Sequence, residues 1–316
     1  MSLYVVTGGA GFIGSHIVQR LLARGEKVRI ADDFSSGKRE NVPAGVEVVE
    51  GDVADPAVAA RAAAGCEFVI HQAAIPSVPR SVKDPVRSHR ANVDGTLNML
   101  IAARDAGAKR LVFAGSSSVY GDTPVLPKRE DMRPNPLSPY ALQKLIGEQY
   151  CQMFTRLYGL ETVVTRYFNV FGPRQQPGSP YSGVISLFVE ALAQGKSPHI
   201  HGDGKQTRDF TYVGDVVTGV LECCSAPGVA GEVINVAAGG RVSLLELIRS
   251  LQGILKTSTA PTFGPTREGD VKDSQADIAK ARKLLNFAPS VPFDEGLRET
   301  VAWFQSRATG VAGRAD

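Results

Sequence analysis

Apolar residues along the chain keep two rhythms, and the rhythms alternate. Compact runs at Leu3–Thr7, Lys27–Ile30, Val46–Val49, Phe68–His71, Arg110–Ala114 and Thr162–Arg166 predict strands. Between them apolar positions recur at helical spacing, as in Ile13, Ile17, Leu21 and Leu22, and again in Val93, Leu97, Leu100 and Ile101. Strands separated by helices of this length imply parallel pairing through right-handed crossovers. The predicted class is α/β, a doubly wound parallel sheet. Ligands of such sheets sit outside the carboxyl ends of the strands, where the strand order reverses.

The texture changes after about Asn169. Gly172-Pro173, Pro177-Gly178-Ser179-Pro180, Gly202-Asp203-Gly204 and Pro261–Asp270 read as loops, with short helices such as Ser243–Leu255 and Asp277–Leu285 between them. This divides the chain into a sheet domain at 1–168 and a region at 169–308. The latter is mainly a smaller α/β lobe whose loops close over something polar, with some segments returning to the sheet. Residues 309–316 are small and polar and are expected to fray. No internal repeat or low-complexity tract interrupts this plan.

Composition narrows the setting. With 316 residues, 43% of them hydrophobic, the chain can bury a full core and a smaller second one. Its 35 basic and 32 acidic residues leave a net charge of +3 with no long like-charge block, so neither nucleic acid nor a membrane surface is expected as a partner. No apolar run approaches the roughly 20 residues needed to span a bilayer. The chain opens directly in strand-like Leu3-Tyr4-Val5-Val6, which leaves no room for a signal peptide. Cys66, Cys151, Cys223 and Cys224 have neither disulfide-framework nor zinc spacing. A cytoplasmic protein without a metal is the expectation.

Gly9, Gly11 and Gly14 form a G-x-G-x-x-G string directly after the first predicted strand and at the mouth of the first predicted helix. Glycine lets the backbone turn tightly and lets a pyrophosphate approach main-chain amides at the positive helix end. A lone string is weak evidence, but here a strand precedes it, a helix follows, and an acid stands about 20 residues further on. That acid, Asp32, can accept hydrogen bonds from both adenosine ribose hydroxyls and would repel a 2′-phosphate, so NAD is expected rather than NADP. Gly8, Phe12 and Ile13 of the loop, and Asp33, Ser35, Ser36 and Gly37 after Asp32, are counted with this site. Asp52-Val53, after the third strand, either borders the adenine or is a solvated loop pair. His71-Gln72-Ala73-Ala74 ends the fourth strand with small residues past which the cofactor can lie, His71 itself reading as a packed strand-end residue. Asn92 is counted with the cofactor site, with the alternative that it only bridges backbone groups across it.

Ser138-Pro139 predicts a helix start, and Tyr140 and Lys144 follow one turn apart on the same face. A free tyrosine, with a pKa of about 10, is a poor base at neutral pH. A lysine ammonium one turn away, with a positive nicotinamide ring above, favours the phenolate. The tyrosine then removes a hydroxyl proton as hydride leaves the same carbon. Ser116, at the end of the fifth strand, holds that hydroxyl in line. Tyrosine and lysine at this spacing are common on exposed helices. The glycine loop and the serine-rich strand end give this pair its meaning.

Together these residues resemble the extended short-chain dehydrogenase/reductase family, and within it the nucleotide-sugar 4-epimerases. The resemblance runs through about Arg307. It rests on T-G-G-A-G-F-I-G at 7–14, H-Q-A-A at 71–74, S-V-P-R-S at 77–81, G-S-S-S-V-Y-G at 115–121 and S-P-Y-A-L-Q-K at 138–144. It continues in R-Y-F-N-V-F-G-P-R at 166–174, T-R-D-F at 207–210 and R-E-G-D-V at 267–271. It implies a Rossmann-type NAD domain, Ser116, Tyr140 and Lys144 as the catalytic triad, and Tyr167 packed near the nicotinamide. Asn169 would contact a substrate diphosphate, Arg208 and Arg267 would clamp it, and Asp270 would bind uridine ribose or steady Arg267. Guanidinium forks suit diphosphate oxygens on chemical grounds as well.

Sister reactions of the family carry carboxylates where Ser117 and Ser118 stand: Asp-Glu in 4,6-dehydratases, and Glu at the second place in decarboxylases. Without them a 4-keto sugar has little to do but take its hydrogen back, and a sugar that has turned over takes it on the opposite face. The resemblance thus implies 4-epimerisation of a UDP-hexose, with UDP-GlcNAc/UDP-GalNAc and UDP-Glc/UDP-Gal as substrates. Ser274 matches a position bordering the hexose pocket, where tyrosine in some relatives excludes N-acetylated sugars; serine either leaves room for an acetamido group or is a plain loop residue. Ser77, Arg80 and Ser81 are expected to face the sugar, and a 6-carboxylate there keeps UDP-glucuronate 4-epimerase open. A non-catalytic NAD-binding sensor and a net-redox dehydrogenase or reductase are the competing readings. A homodimer is implied too, through helices at Asn92–Ala106 and Ala141–Tyr158. Leu97, Leu100, Leu145, Ile146, Met153 and Phe154 either form that interface or face their own sheet.

Overall fold

The computed structural model describes residues 1–176, 183–266 and 271–312. Val5-Val6, Ile30-Ala31, Val69-Ile70 and Leu111-Val112 are each buried in adjacent pairs. Neighbouring side chains on a strand point to opposite faces, so such pairs require a sheet covered on both sides. The strands are β1 (Leu3–Thr7), β2 (Lys27–Asp32), β3 (Glu47–Glu50), β4 (Phe68–His71), β5 (Arg110–Ser116) and β6 (Glu161–Tyr167). Short strands β7 (Val170–Phe171), β8 (His199–His201), β9 (Thr207–Arg208) and β10 (Thr211–Tyr212) follow, then β11 (Val233–Val236), β12 (Val242–Ser243) and β13 (Thr262–Gly264).

The main sheet has seven strands in the order β11-β6-β5-β4-β1-β2-β3, every neighbouring pair parallel. The chain runs outward from β1 to β3 and then returns to β4 on the other side of β1, so the switch point lies between β1 and β4. Helices cover both faces. On one, α1 (Phe12–Ala23) packs with helix Val213–Ser225 around Ile17, Leu21, Val216 and Val220. On the other, α2 (Pro56–Ala63) lies beside helices Gly95–Asp105 and Pro139–Tyr158 around Ala62, Met99, Leu100 and Cys151. In chain order the remaining helices are α3 (Val78–Lys83), α4 (Pro85–His89), α5 (Gly95–Asp105), α6 (Pro139–Tyr158), α7 (Val184–Ala193) and α8 (Val213–Ser225). They end with α9 (Leu244–Leu255), α10 (Ala279–Leu285) and α11 (Phe293–Ala312).

The doubly wound reading agrees with this architecture, and all six predicted strands are present. β2, β5 and β6 run one or two residues further than their apolar cores, and β3 lies one residue later. The extensions put Asp32, Ser116 and Tyr167 at the carboxyl edge. The seventh strand, β11, lies well past residue 168 and pairs with β6, and α8 packs on the same sheet. Both therefore belong to the layers of the main sheet. The lobe proper has its own core, where α7, α9 and α11 meet through Phe188, Leu192, Leu247, Leu251, Leu297 and Val301. Ser243 caps α9 in a reciprocal pair with Glu246, which fixes its start one residue after the predicted one. The last helix continues to Ala312, into the stretch expected to fray. Among the described residues no helix is long and apolar enough to cross a membrane.

Candidate active site

A cleft of about 900 Å³ opens at the carboxyl edge of the sheet, between the switch point and the lobe. Its first wall is main chain. Gly8 has a φ of +65°, and a Cβ there would lie 2.9 Å from Ala73 N, so the ends of β1 and β4 meet over glycine. A Cβ on Gly14 would lie 2.1 Å from Gly8 O. α1 begins at Phe12 with Gly11 as its N-cap, and no side chain among the described residues caps its first amides. Open amides at a helix start suit a phosphate.

Asp32 ends β2 buried, accepting from Ala10 N at 2.9 Å and Phe34 N at 2.9 Å. Burial raises its pKa while the two amides pull it back. Gly37 sits against it, where a Cβ would be 2.7 Å from Oδ1. Gly37 does not line the cleft; it backs Asp32. Asp33 holds the Ser35 amide at 2.9 Å, and Asp33, Ser35 and Ser36 line the cleft. Asp52 and Val53 line it as well, Asp52 accepting from Ala54 N at 2.9 Å.

His71 is a packed strand-end residue. Its Nδ1 lies 2.7 Å from Thr7 Oγ1 and its Nε2 3.1 Å from Thr96 Oγ1, and burial drives its pKa down to about 3. It is neutral at working pH. Thr7, absent from the sequence expectations, also accepts from Gln72 N and Ala73 N at 3.1 Å each and so aligns the strand end that lines the cleft. Asn92 does not reach the cleft. It lies in a wide π turn at Arg90–Asp94, where Oδ1 accepts from Ile75 N at 2.8 Å and Nδ2 donates to Gln143 Oε1 at 2.8 Å. Its polar atoms are spent bridging structure, the second of the two readings above.

The far end of the cleft gathers the serine run and the Tyr/Lys pair. Ser116 ends β5 directly beside Tyr167 of β6. Its Oγ accepts from Ser118 N at 3.2 Å and from Ser118 Oγ at 2.9 Å, capping a short turn at Ser117–Tyr120. Ser138 caps α6 by accepting from Ala141 N at 3.2 Å, which sets Tyr140 in the first turn. The Tyr140 phenol shares a hydrogen bond with Ser116. Lys144 is buried one turn on; its Nζ donates to Ala114 O at 2.8 Å and lies 4.9 Å from the Phe113 ring centre. Burial lowers the Lys144 pKa to about 8. Burial also raises the Tyr140 pKa, with the Ser116 hydrogen bond pulling it back. In the protein alone the ammonium is therefore engaged on the strand end, 6.0 Å from the tyrosine ring centre, rather than setting the phenol's acidity. Tyr167 lines the cleft and accepts from Gln72 Nε2 at 2.9 Å.

The family model for NAD dependent epimerases and dehydratases matches residues 4–237. The chain belongs to that family. A UDP-glucose 4-epimerase of Mycolicibacterium smegmatis is 40% identical over 311 residues, covering 96% of this chain and 99% of the relative. The solved UDP-N-acetylglucosamine 4-epimerase of Methanobrevibacter ruminantium, bound to UDP-N-acetylmuramic acid, is 40% identical with a TM-score of 0.93 over 97% of this chain and 99% of its own. The UDP-glucose 4-epimerase of Thermotoga maritima with UDP-glucose is 37% identical, with a TM-score of 0.93 over the same shares.

In this family member the lobe supplies the other wall. Asn169 and Arg208 line the cleft, Arg208 Nη1 donating to Thr207 O at 2.9 Å and Lys272 O at 3.0 Å. Ser274 lines it too, its amide bonded to Thr207 O at 3.1 Å. Arg267 and Asp270 lie outside the described residues. Ser77 and Ser81 do not face the sugar end. Ser77 is the buried N-cap of α3, and Ser81 Oγ donates to Val78 O at 2.7 Å while accepting from Tyr140 N at 3.0 Å. Arg80 is exposed outside the cleft. A serine followed within two residues by proline is an N-cap signature, so the signal for this correction was in the motif. Two further residues escaped the sequence expectations. Asp209 is buried and accepts from Ala238 N at 3.1 Å, Gly239 N at 3.0 Å and Ala276 N at 3.0 Å, tying the lobe's loops together, and burial raises its pKa to about 6. Lys128 is buried and lines the cleft.

Proposed function

We propose that this chain inverts carbon 4 of a UDP-hexose through a transient 4-keto sugar, with NAD as its resident cofactor. One observation carries the reading: Tyr140, Ser116 and Lys144 converge at one end of the cleft whose other end is the glycine cradle, with serines at 117 and 118 where elimination or decarboxylation needs carboxylates. Gly8, Gly11, Gly14, Asp32, Gln72 and Tyr167 would hold the cofactor. Bound NAD supplies a reversible hydride acceptor.

Ser116 holds the 4-hydroxyl against Tyr140, and Tyr140 takes its proton and later returns it. Lys144, with a pKa of about 8, is mostly the ammonium at neutral pH and steadies the phenolate as charge develops. Asn169 and Arg208, with Arg267, are assigned to the diphosphate. Small Ser274 favours acceptance of both N-acetylated and plain hexoses. The residue-level case for a 6-carboxylate rested on Ser77, Arg80 and Ser81, which do not line the cleft. Purified protein incubated separately with UDP-GlcNAc, UDP-Glc and UDP-GlcA, with products resolved by NMR, is expected to yield a carbon 4 epimer. No epimer from any of the three would overturn the reading, and stoichiometric NADH release would replace it with a net oxidation.

We also assign a homodimer built on α5 and α6. Leu100 and Phe154 face their own core, but Ile101, Leu142, Met153 and Leu157 are exposed on these helices. Sedimentation as a monomer at micromolar concentration would refute it. The four cysteines are free and buried, which fits a reducing cytoplasm; recovery in an exported fraction would count against that placement.

A further inference from the structure

Lys128 is a charged group of the cleft that the proposed reaction leaves unused. It is only 2% exposed, yet it lines the cleft together with Ser118, Gly121 and Ser274. Backbone pairing explains its position. Its amide donates to Gln275 O at 2.7 Å and its carbonyl accepts from Asp277 N at 2.9 Å, so the residue is stitched alongside the segment that carries Ser274. The ammonium donates to Thr123 O, two residues past Gly121. This is the hexose end of the cleft, on the side of Ser116 and far in the chain from the nucleotide-facing acids Asp32 and Asp52.

An ammonium has three N–H donors. Among the described residues Thr123 O is the acceptor bonded to this one, and no described carboxylate forms a salt bridge with it. Burial lowers the Lys128 pKa, with Asp122 pulling the other way. An ammonium at the wall of a cleft can turn its remaining donors toward a ligand oxygen. Carbonyl and carboxylate oxygens accept charged donors better than an alcohol does.

We propose that Lys128 binds the substrate directly, donating to a carbonyl-type oxygen that the hexose carries, either an acetamido C=O or a 6-carboxylate. The proposal rests on the epimerase reading and adds the sugar substituent that the site selects. Lys128→Met keeps the apolar stem and every backbone bond, and Lys128→Gln is run beside it in case Met does not fold. NAD content and calorimetric UDP affinity are measured first, then kcat and KM for UDP-GlcNAc, UDP-GlcA and UDP-Glc. We expect unchanged NAD content and UDP affinity, less than about twofold change for UDP-Glc, and a KM about tenfold or more higher for one other sugar, the scale of a single charge-assisted hydrogen bond. Loss on UDP-GlcNAc identifies the acetamido oxygen, and loss on UDP-GlcA the carboxylate. An equal change on all three sugars, or no change on any, overturns the proposal. If the wild type epimerises none of them, the reaction assigned above falls. Calorimetry of UDP-GlcNAc and UDP-GlcA against UDP, in wild type and variant, then still decides Lys128.

Discussion

The cradle at the end of β1 and the wall supplied by the lobe bound the same cleft, but one is main chain over glycine and the other is side chains on segments far apart in sequence. In the cradle, Gly8 against Ala73 and Gly14 against Gly8 leave no space for an extra methyl group. In the other wall, Arg208 and Ser274 of the lobe and Lys128 beside them stand where they do because Thr207 pairs with Ser274 and Lys128 pairs with the 275–277 segment. The first wall has one steric solution, and a change there is expected to be all or nothing. The second is adjustable, and a change there is expected to trade one sugar for another. The expectation is that cofactor binding rests on the backbone and sugar selection on the side chains.

The sharpest test of this contrast lies between the walls. Tyr140→Phe removes the proton-handling oxygen and is expected to lower kcat by about 10²–10⁴-fold, while NAD content, read by absorbance after denaturation, stays at the wild-type level. A fully active variant would remove the proposed base. Gly14→Ala should strike the cradle itself: forcing a Cβ against Gly8 O is expected to cost about 1–3 kcal/mol and to strip NAD from the purified protein. Unchanged NAD content and thermal midpoint would show that the cradle yields.

Raising pH through about 8 deprotonates Lys144 and removes the ammonium beside the phenol, so kcat should fall on the alkaline side of that value. Lys144→Arg, always charged, should move the fall upward, and an unmoved limb would assign it elsewhere. The same lowered pKa carries a stability sign. Between about 8 and the ordinary lysine value the unfolded chain holds a proton that the folded chain has shed, so this group's contribution to stability rises with pH across that window. The mildest change is Ser274→Tyr, expected to shift the UDP-Glc over UDP-GlcNAc preference by about tenfold through exclusion, with NAD content untouched. An unchanged ratio would make Ser274 a plain loop residue.

The same contrast explains what the chain disclosed in advance. The cradle was legible because its residues are consecutive and its glycines answer a local demand. Strand positions followed from buried apolar pairs such as Val69-Ile70, and the ladders run on past those apolar runs through the polar ends Asp32, Ser116 and Tyr167. β11 was hidden because Val233–Val236 is short and reaches β6 only after the lobe's first elements have intervened. Asp209 and Lys128 were hidden for a similar reason: their partners lie at 238–239, 275–277 and 276, beyond any local pattern. S-V-P-R-S was misread because a serine that caps a helix start, Ser77, and one inside the helix, Ser81, look in sequence like serines that greet sugars.

Asn92 has a consequence beyond its own bonds. It fastens the Ile75 amide after β4 to Gln143 on α6, while Ser81 fastens the amide of Tyr140 itself. The proposed base and the end of β4 are thereby clamped into one frame from two directions. If that frame stays braced, hydrogen meets a bound sugar from one side only. Inversion of carbon 4 would then require the sugar, and not the frame, to turn over.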